Sequence, residues 1–220
     1  MKTVAFVPIK LNNERLPGKN IKKFSNGVPL ITYILNTLIH IKEIDEVYVY
    51  CSSDEICNYL PEKIKYLKRD ARLDLSTTPF NEVLTSFAND VDADIYVLTH
   101  ATAPFISESS IVKGIRAVQS GEYDSALAVE KLQEFLWKNN HPINYDVDCI
   151  PRTQDLEPYY KETCGMYIYN CDTIKNKKRR IGDKPFLIEV SQFEAVDINT
   201  YDDFEMADSV RMVLEKKNKN

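Results

Sequence analysis

The feature that most constrains the fold is a short apolar run at residues 4–7 that leads directly into a polar, basic loop. The run is too short for a helix and consists mainly of β-branched and aromatic residues, so it predicts a buried strand that Pro8 ends. Pro17 and Gly18 indicate a turn in the loop, and a helix is expected to begin near Pro29. This order predicts an open α/β sheet, in which ligands bind beyond the carboxyl ends of parallel strands.

The loop after the first strand carries three cations, Lys10, Arg15 and Lys19. They suit a polyphosphate, because a lysine is a point charge and an arginine can bind two oxygens at once. The alternative is a solvated surface loop with scattered charges. The coincidence of cations, turn and strand end favours an anion site. The loop has one glycine, Gly18, so it matches neither a Walker A loop nor a dinucleotide fingerprint.

Length and composition predict one globular domain over residues 1–220. A net charge of -5 argues against a broad nucleic-acid surface, so any anion site is local and no nucleic-acid partner is expected. The sequence shows neither an apolar stretch of about 18 residues nor a signal-peptide pattern, so no membrane association is expected. Five cysteines without a Cys-x-x-Cys pair argue against disulfides or a structural zinc and fit the cytoplasm.

The rest of the chain alternates strand-like and helix-like segments, which predicts a mostly parallel sheet with helices on both faces. Residues 132–160 break this rhythm with aromatics, prolines and asparagines, and they predict an irregular arm or a β-hairpin insertion. The basic run at residues 175–180 is read mainly as a solvated face. The predicted strands are residues 47–51, 64–67, 94–99, 125–131, 164–169, 186–190 and 194–198, and the predicted helices are residues 29–40, 52–59, 80–87, 107–121 and 200–216.

The N-terminal loop resembles that of the cytidylyltransferases that activate sialic acids and 3-deoxy-octulosonate (KDO) as CMP-sugars. The likeness is to the KDO branch at residues 15–19 (RLPGK) and to the sialic acid branch at Lys19 and Asn20. Lys10 departs from the family, which usually has arginine there. The resemblance covers nearly the whole chain in order. It implies a Rossmann-like nucleotidyltransferase with a protruding dimerisation arm, a homodimer, and CTP and a small sugar acid as substrates.

On this resemblance, Lys10, Arg15 and Lys19 hold the triphosphate and contribute to catalysis, with Asn20 beside them. Arg69 matches a family arginine before the loop that holds the nucleobase. For Thr78 two readings stay open: its hydroxyl reads the edge of cytosine, or it caps the following helix.

The segment after the strand at residues 94–99 resembles the part of relatives that faces the sugar. Thr102 matches the family, and His100 replaces a glutamine and could donate to a carboxylate or a hydroxyl, although a lone histidine is often structural. Arg152 and Gln154 resemble an arginine-x-glutamine segment that reaches the substrate. Arg152 could pair with the carboxylate of a 2-keto-3-deoxy acid, and its alternative is an exposed loop arginine. Cys164 stands where relatives have asparagine.

A second segment with a strong resemblance lies at residues 194–204. Asp197 and Asn199 are two apart on extended backbone, so they can present two oxygens to one hard cation such as Mg²⁺. The alternative is that Asn199 and Thr200 only cap the last helix. The working hypothesis is an Mg²⁺-dependent cytidylyltransferase. The rivals are a cytidylyltransferase for another acceptor and a nucleotide-binding module that has lost turnover.

Overall fold

A computed structural model describes residues 1–217, and its centre is a seven-stranded sheet in the order β3-β2-β1-β4-β8-β5-β9. Pairing is parallel except for β8, which runs antiparallel to both β4 and β5. Helices cover both faces, and this confirms the predicted α/β class. The strands of this sheet are β1 (Thr3–Ile9), β2 (Glu46–Cys51), β3 (Lys65–Lys68), β4 (Ile95–Thr99), β5 (Ser125–Leu132), β8 (Tyr159–Asn170) and β9 (Pro185–Glu189).

Five α-helices are described in residues 1–217, and four short 3₁₀ helices join them. Ser107 caps α3 as expected, since its hydroxyl accepts a hydrogen bond from the Ser110 N–H. The predicted helix at residues 52–59 is a 3₁₀ helix. The α-helices are α1 (Leu30–His40), α2 (Phe80–Asp90), α3 (Glu108–Gln119), α4 (Cys171–Lys175) and α5 (Tyr201–Lys217), and the 3₁₀ helices are Lys19–Ile21, Asp54–Tyr59, Ala71–Asp74 and Thr153–Asp155.

Strand β1 divides the core, because its side chains alternate between the two faces of the sheet. Ala5, Val7 and Ile9 pack in the cluster that includes α1 and α3. Val4 and Phe6 pack in the opposite cluster with α2. Both faces are therefore dry, which explains why the strand reads as a continuous apolar run rather than as an alternating one.

Two strand predictions need correction. Pro8 does not end β1, which continues to Ile9. Pairing with β4 stops at Phe6, so a proline beyond that point interrupts no ladder on that side. Residues 194–198 are not a strand. The carboxylate of Glu194 accepts hydrogen bonds from the N–H groups of Ser107 and Ser191, and these bonds fix the segment in place of a sheet ladder.

The segment between β5 and β8 contains a small hairpin of β6 (Trp137–Lys138) and β7 (His141–Pro142). Asn139 and Asn140 form its turn, and their φ values of 50° and 63° are those of a type I′ turn. Strand β8 begins at Tyr159, so the last residues of the expected arm belong to the main sheet.

Helix α5 packs against the N-terminal loop rather than against the centre of the sheet. Phe204 and Ala207 share a third apolar cluster with Leu16, Phe24 and Leu30. This cluster brings the N-terminal loop and the C-terminal segment together. None of the helices in residues 1–217 combines the length and the apolar composition needed to span a bilayer.

The ring of Phe87 is the centre of an aromatic cluster under the sheet. It stacks on Phe6 at 4.0 Å between centroids and meets the edges of Tyr48, Tyr50 and Tyr96. We expect Phe87→Ala to lower the free energy of unfolding by about 3–5 kcal/mol, because the cavity cannot close around rigid rings. Urea denaturation measures this.

The matched control is Tyr201→Ala, which truncates a ring that is 56% exposed. It should cost clearly less than Phe87→Ala. Equal losses for the two variants would contradict the assignment of Phe87 to the core.

Candidate active site

A cleft of about 340 Å³ opens beyond the carboxyl ends of the central parallel strands. Two smaller hollows of about 250 and 260 Å³ continue it: one shares Phe80 with the cleft, and both are lined by Lys10 and Ser76. The cleft is lined by Phe80, Asn81, His100, Thr102, Cys164, Arg180, Asp197 and Asn199.

The three predicted cations of the N-terminal loop share one hollow. Lys10, Arg15 and Lys19 all line it, with Arg15 exposed and Lys19 buried. The amide of Asn20 donates to the Lys10 carbonyl at 3.0 Å, and this bond fixes the course of the loop. The structure therefore groups the residues that the sequence predicts to form an anion site.

Lys19 joins this loop to the C-terminal segment. Its Nζ donates to the Ile198 carbonyl oxygen at 2.8 Å, and only 8% of the residue is exposed. Burial lowers the pKa of Lys19, while the negative charge of Asp197 acts in the opposite direction. A buried ammonium thus lies between the cationic loop and the carboxylate.

Asp197 and Asn199 lie side by side at the cleft, as their spacing predicts. The Asn199 Nδ2 donates to Asp197 Oδ2 at 2.6 Å. Thr200 caps α5, since its hydroxyl accepts a hydrogen bond from the Asp203 N–H. The Asp203 carboxylate in turn accepts hydrogen bonds from the N–H groups of Asn199 and Thr200. The Asn199 side chain is therefore not used to cap α5, and it lines the cleft beside Asp197.

The oxygens of Asp197 and Asn199 suit a hard cation that takes its remaining ligands from water and a substrate. No group of three or more His, Cys, Asp or Glu side chains with metal-binding geometry occurs in residues 1–217. A carboxylate and an amide oxygen are hard ligands, and Mg²⁺ usually takes few protein oxygens and completes its shell with water and phosphate. Asp197 and Asn199 fit such a site.

Arg69 and Thr78 line the hollow between the cleft and the loop. Arg69 is buried against Asp74, with its Nε 2.9 Å from the carboxylate, and lies over the Tyr50 ring. The Thr78 hydroxyl donates to the Arg72 carbonyl at 2.9 Å. Thr78 does not cap α2, because Pro79 precedes that helix without a side-chain cap.

His100 and Thr102 lie in the cleft, as predicted. The His100 ring faces Phe80 at 5.5 Å between centroids. Burial, with smaller effects of Arg180 and Lys19, lowers the pKa of His100 to about 4. The imidazole is neutral at pH 7, so one ring nitrogen can donate while the other accepts.

Arg152 and Gln154 are not brought to the cleft of their own chain. Both are exposed, and the Arg152 guanidinium pairs with Asp155 at 2.7 Å. The Gln154 carbonyl accepts from the Gln133 side chain at 3.4 Å. A substrate role for the pair stays a prediction.

Sequence reasoning missed three residues of the cleft: Phe80, Asn81 and Arg180. Arg180 belongs to the basic run that the sequence predicts to be mainly a solvated face, yet its guanidinium lies 3.7 Å from the centre of the Tyr167 ring. The one local signal is Gly182, two positions later, since a glycine within a mainly charged segment suggests a close backbone approach. Cys164, opposite in the cleft, has a φ of 59°.

A family model described as cytidylyltransferase matches residues 4–217. The chain belongs to the cytidylyltransferase family. An N-acylneuraminate cytidylyltransferase of Streptococcus agalactiae serotype V is 24% identical over 217 residues, which cover 93% of this chain and 52% of the relative. A 3-deoxy-manno-octulosonate cytidylyltransferase 2 of Hydrogenovibrio crunogenus is 25% identical over 134 residues, which cover 60% of this chain and 53% of the relative. The chain thus spans about half the length of these curated relatives.

The fold is that of solved nucleotidyltransferases. A CMP:2-keto-3-deoxy-manno-octonic acid synthetase, whose structure holds CTP, superposes with a TM-score of 0.73 and covers 98% of this chain and 100% of its own. At 16% sequence identity, this likeness establishes the architecture alone.

The lowered pKa of His100 predicts a pH-dependent stability. As pH falls below 6.5, the unfolded chain takes up a proton that the folded chain does not accept until about pH 4, so folding is disfavoured in this window. Between pH 7 and pH 5 the wild-type protein should lose about 2 kcal/mol more unfolding free energy than His100→Gln. Urea titrations at both pH values test this, and parallel losses in the two proteins would contradict it.

Proposed function

We propose that the protein transfers CMP from CTP to a sialic-acid-like or KDO-like sugar acid and releases pyrophosphate. The observation that carries the proposal is the contact of Lys19 with the Ile198 carbonyl beside Asp197, which joins the cationic loop to the hard oxygen ligands. Family membership supports cytidylyl transfer, and the relatives described as N-acylneuraminate and 3-deoxy-manno-octulosonate cytidylyltransferases support a sugar acid as acceptor.

In this proposal the N-terminal loop binds the triphosphate. Lys10, Arg15 and Lys19 offset its negative charge, and Asn20 holds the loop in register. The nucleobase occupies the hollow lined by Arg69 and Thr78. Arg69 there is neutralised by Asp74, so its role is to shape the hollow rather than to add free charge.

Asp197 and Asn199 are proposed to hold Mg²⁺ together with phosphate oxygens. Bound there, Mg²⁺ would neutralise phosphate charge and lower the pKa of the attacking hydroxyl. The oxygen of the anomeric hydroxyl forms a bond to the α-phosphorus while its proton is lost to water, and the bond from that phosphorus to the pyrophosphate oxygen breaks. The protein contributes position and fixed charge, chiefly through Lys10, Arg15 and Lys19.

We further propose that the protein acts as a homodimer in the cytoplasm, with the segment at residues 132–160 as the interface. Rings in this segment contact one another, with Tyr145 close to both Phe135 and Trp137, yet they leave a large apolar surface in water. A second copy would cover it and could bring Arg152 and Gln154 to the neighbouring cleft. The exposed apolar side chains are Phe135, Trp137, Ile143, Val147, Ile150, Tyr159 and Tyr160.

The activity can be tested with CTP, Mg²⁺ and a panel of sugar acids, with pyrophosphate release as the readout. The panel should include N-acetylneuraminate and 3-deoxy-manno-octulosonate. We expect turnover with one acid, and we expect Asp197→Ala to lower kcat/KM at least about 100-fold, because an oxygen ligand and its charge are lost.

Asp202→Ala is the matched control, since it removes an exposed carboxylate a few residues away and should leave turnover unchanged. Binding of CTP without pyrophosphate release for any acid would favour a nucleotide-binding module. Unchanged activity of Asp197→Ala would refute the metal assignment.

The dimer is tested by light scattering after gel filtration. Trp137→Asp places a charge in the proposed interface, so it should shift the mass from dimer to monomer at micromolar concentration. Met206→Asp, on an exposed face of α5, should leave the mass unchanged. A monomeric wild-type protein would contradict the proposal.

A further inference from the structure

The loop between α4 and β9 is fixed to the sheet by one carboxylate. Asp124 accepts hydrogen bonds from the N–H groups of Asp183 at 2.7 Å and Lys184 at 3.1 Å, and the Gly182 N–H donates to the Ser125 hydroxyl at 2.8 Å. Burial would raise the pKa of Asp124, but these backbone hydrogen bonds outweigh it and lower the pKa. The approach needs a glycine, because a Cβ at Gly182 would lie 2.1 Å from the Asp124 carboxyl.

This anchor places Arg180 over the cleft. Its guanidinium stacks on the Tyr167 ring at 3.7 Å from the centroid and lies near the Phe80 ring at 5.7 Å. Nη2 donates to Glu162 Oε1 at 3.0 Å, and the same oxygen accepts from the Tyr167 hydroxyl. The Tyr167 ring therefore covers one face of the guanidinium, and Glu162 binds one of its edges.

The remaining edge of the guanidinium is suited to a planar anion. A guanidinium has five N–H donors in one plane, and the hydrogen bond to Glu162 uses one nitrogen. Stacking on Tyr167 orients that plane without consuming further donors. The edge faces a cleft that also offers the neutral His100 and the amide of Asn81.

We propose that Arg180 binds the carboxylate of the acceptor and thereby selects sugar acids over neutral sugars. The inference rests on the proposed function and names the acceptor end of the same site. It assigns to Arg180 the role that the sequence led us to expect of Arg152.

A carboxylate fits this position better than the triphosphate. Lys10, Arg15 and Lys19 line the hollow of about 260 Å³, to which Arg180 does not contribute among the residues that the structure describes. Glu162 already offsets part of the Arg180 charge, so the site suits a single negative charge. A carboxylate also matches the fork of an arginine with two parallel hydrogen bonds.

The test compares Arg180→Gln and Arg180→Lys with Arg179→Gln, a matched control that removes the adjacent exposed arginine. Steady-state kinetics are measured with the sugar acid that turns over and with its carboxamide analogue, and CTP affinity is measured by calorimetry with Mg²⁺. Arg180→Gln should raise KM for the acid about 10- to 100-fold and largely spare kcat. Arg180→Lys should recover part of this loss, and CTP affinity should not change.

The carboxamide separates recognition from folding, because wild-type protein and Arg180→Gln should use it equally well. A weaker CTP affinity in Arg180→Gln would assign the residue to the nucleotide and overturn the inference. Unchanged KM for the acid, or equal losses with acid and carboxamide, would overturn it while the proposed function stands. No turnover of any acid by wild-type protein that binds CTP would overturn both.

Discussion

The site depends on one buried ammonium. Lys19 is removed from water, which is unfavourable for a charge unless oxygen atoms replace the lost hydration. The Ile198 carbonyl, 179 residues further along the chain, and the nearby Asp197 carboxylate supply that replacement. The apolar cluster of Leu16, Phe24 and Phe204 holds the two segments together around the charge. The same packing therefore positions both the loop that is proposed to bind the triphosphate and the residues that are proposed to bind the cation.

Much of the fold follows from local patterns. The central strands are dry on both faces, so their sequences are apolar throughout, and Ser107 marks the start of α3 by its cap. The secondary-structure prediction failed where hydrogen bonds from a distant side chain, rather than local sequence pattern, determine the backbone conformation. Glu194 binds backbone and hydroxyl groups across the chain, so residues 194–198, which the sequence predicts as a strand, are held outside the sheet. Pro8 lies where pairing with β4 has ended, so it remains within β1.

Some residues of the candidate site were also predictable from the sequence, and others were not. Lys19 and Asp197 were predictable because each lies in a short segment whose residue types are unusual and whose chemistry is local. Arg180 was not, since its position depends on Asp124, which lies 56 residues earlier and captures the backbone of its loop. A run of basic residues reads as a solvated face unless that tertiary anchor is known. The only local sign of this contact in the sequence is Gly182, because a side chain at that position would collide with the Asp124 carboxyl.

His100 determines how these charges act on one another. If it were protonated at pH 7, a continuous band of positive charge would link Lys19 to Arg180, and the cleft would bind any polyanion along its length. Burial between the two cations instead keeps the imidazole neutral. Two separate positive regions result, one on the loop that suits a triphosphate and one at Arg180 that suits a carboxylate. His100 therefore offers the cleft a hydrogen-bonding group without a charge, because a neutral imidazole, like an amide, both donates and accepts.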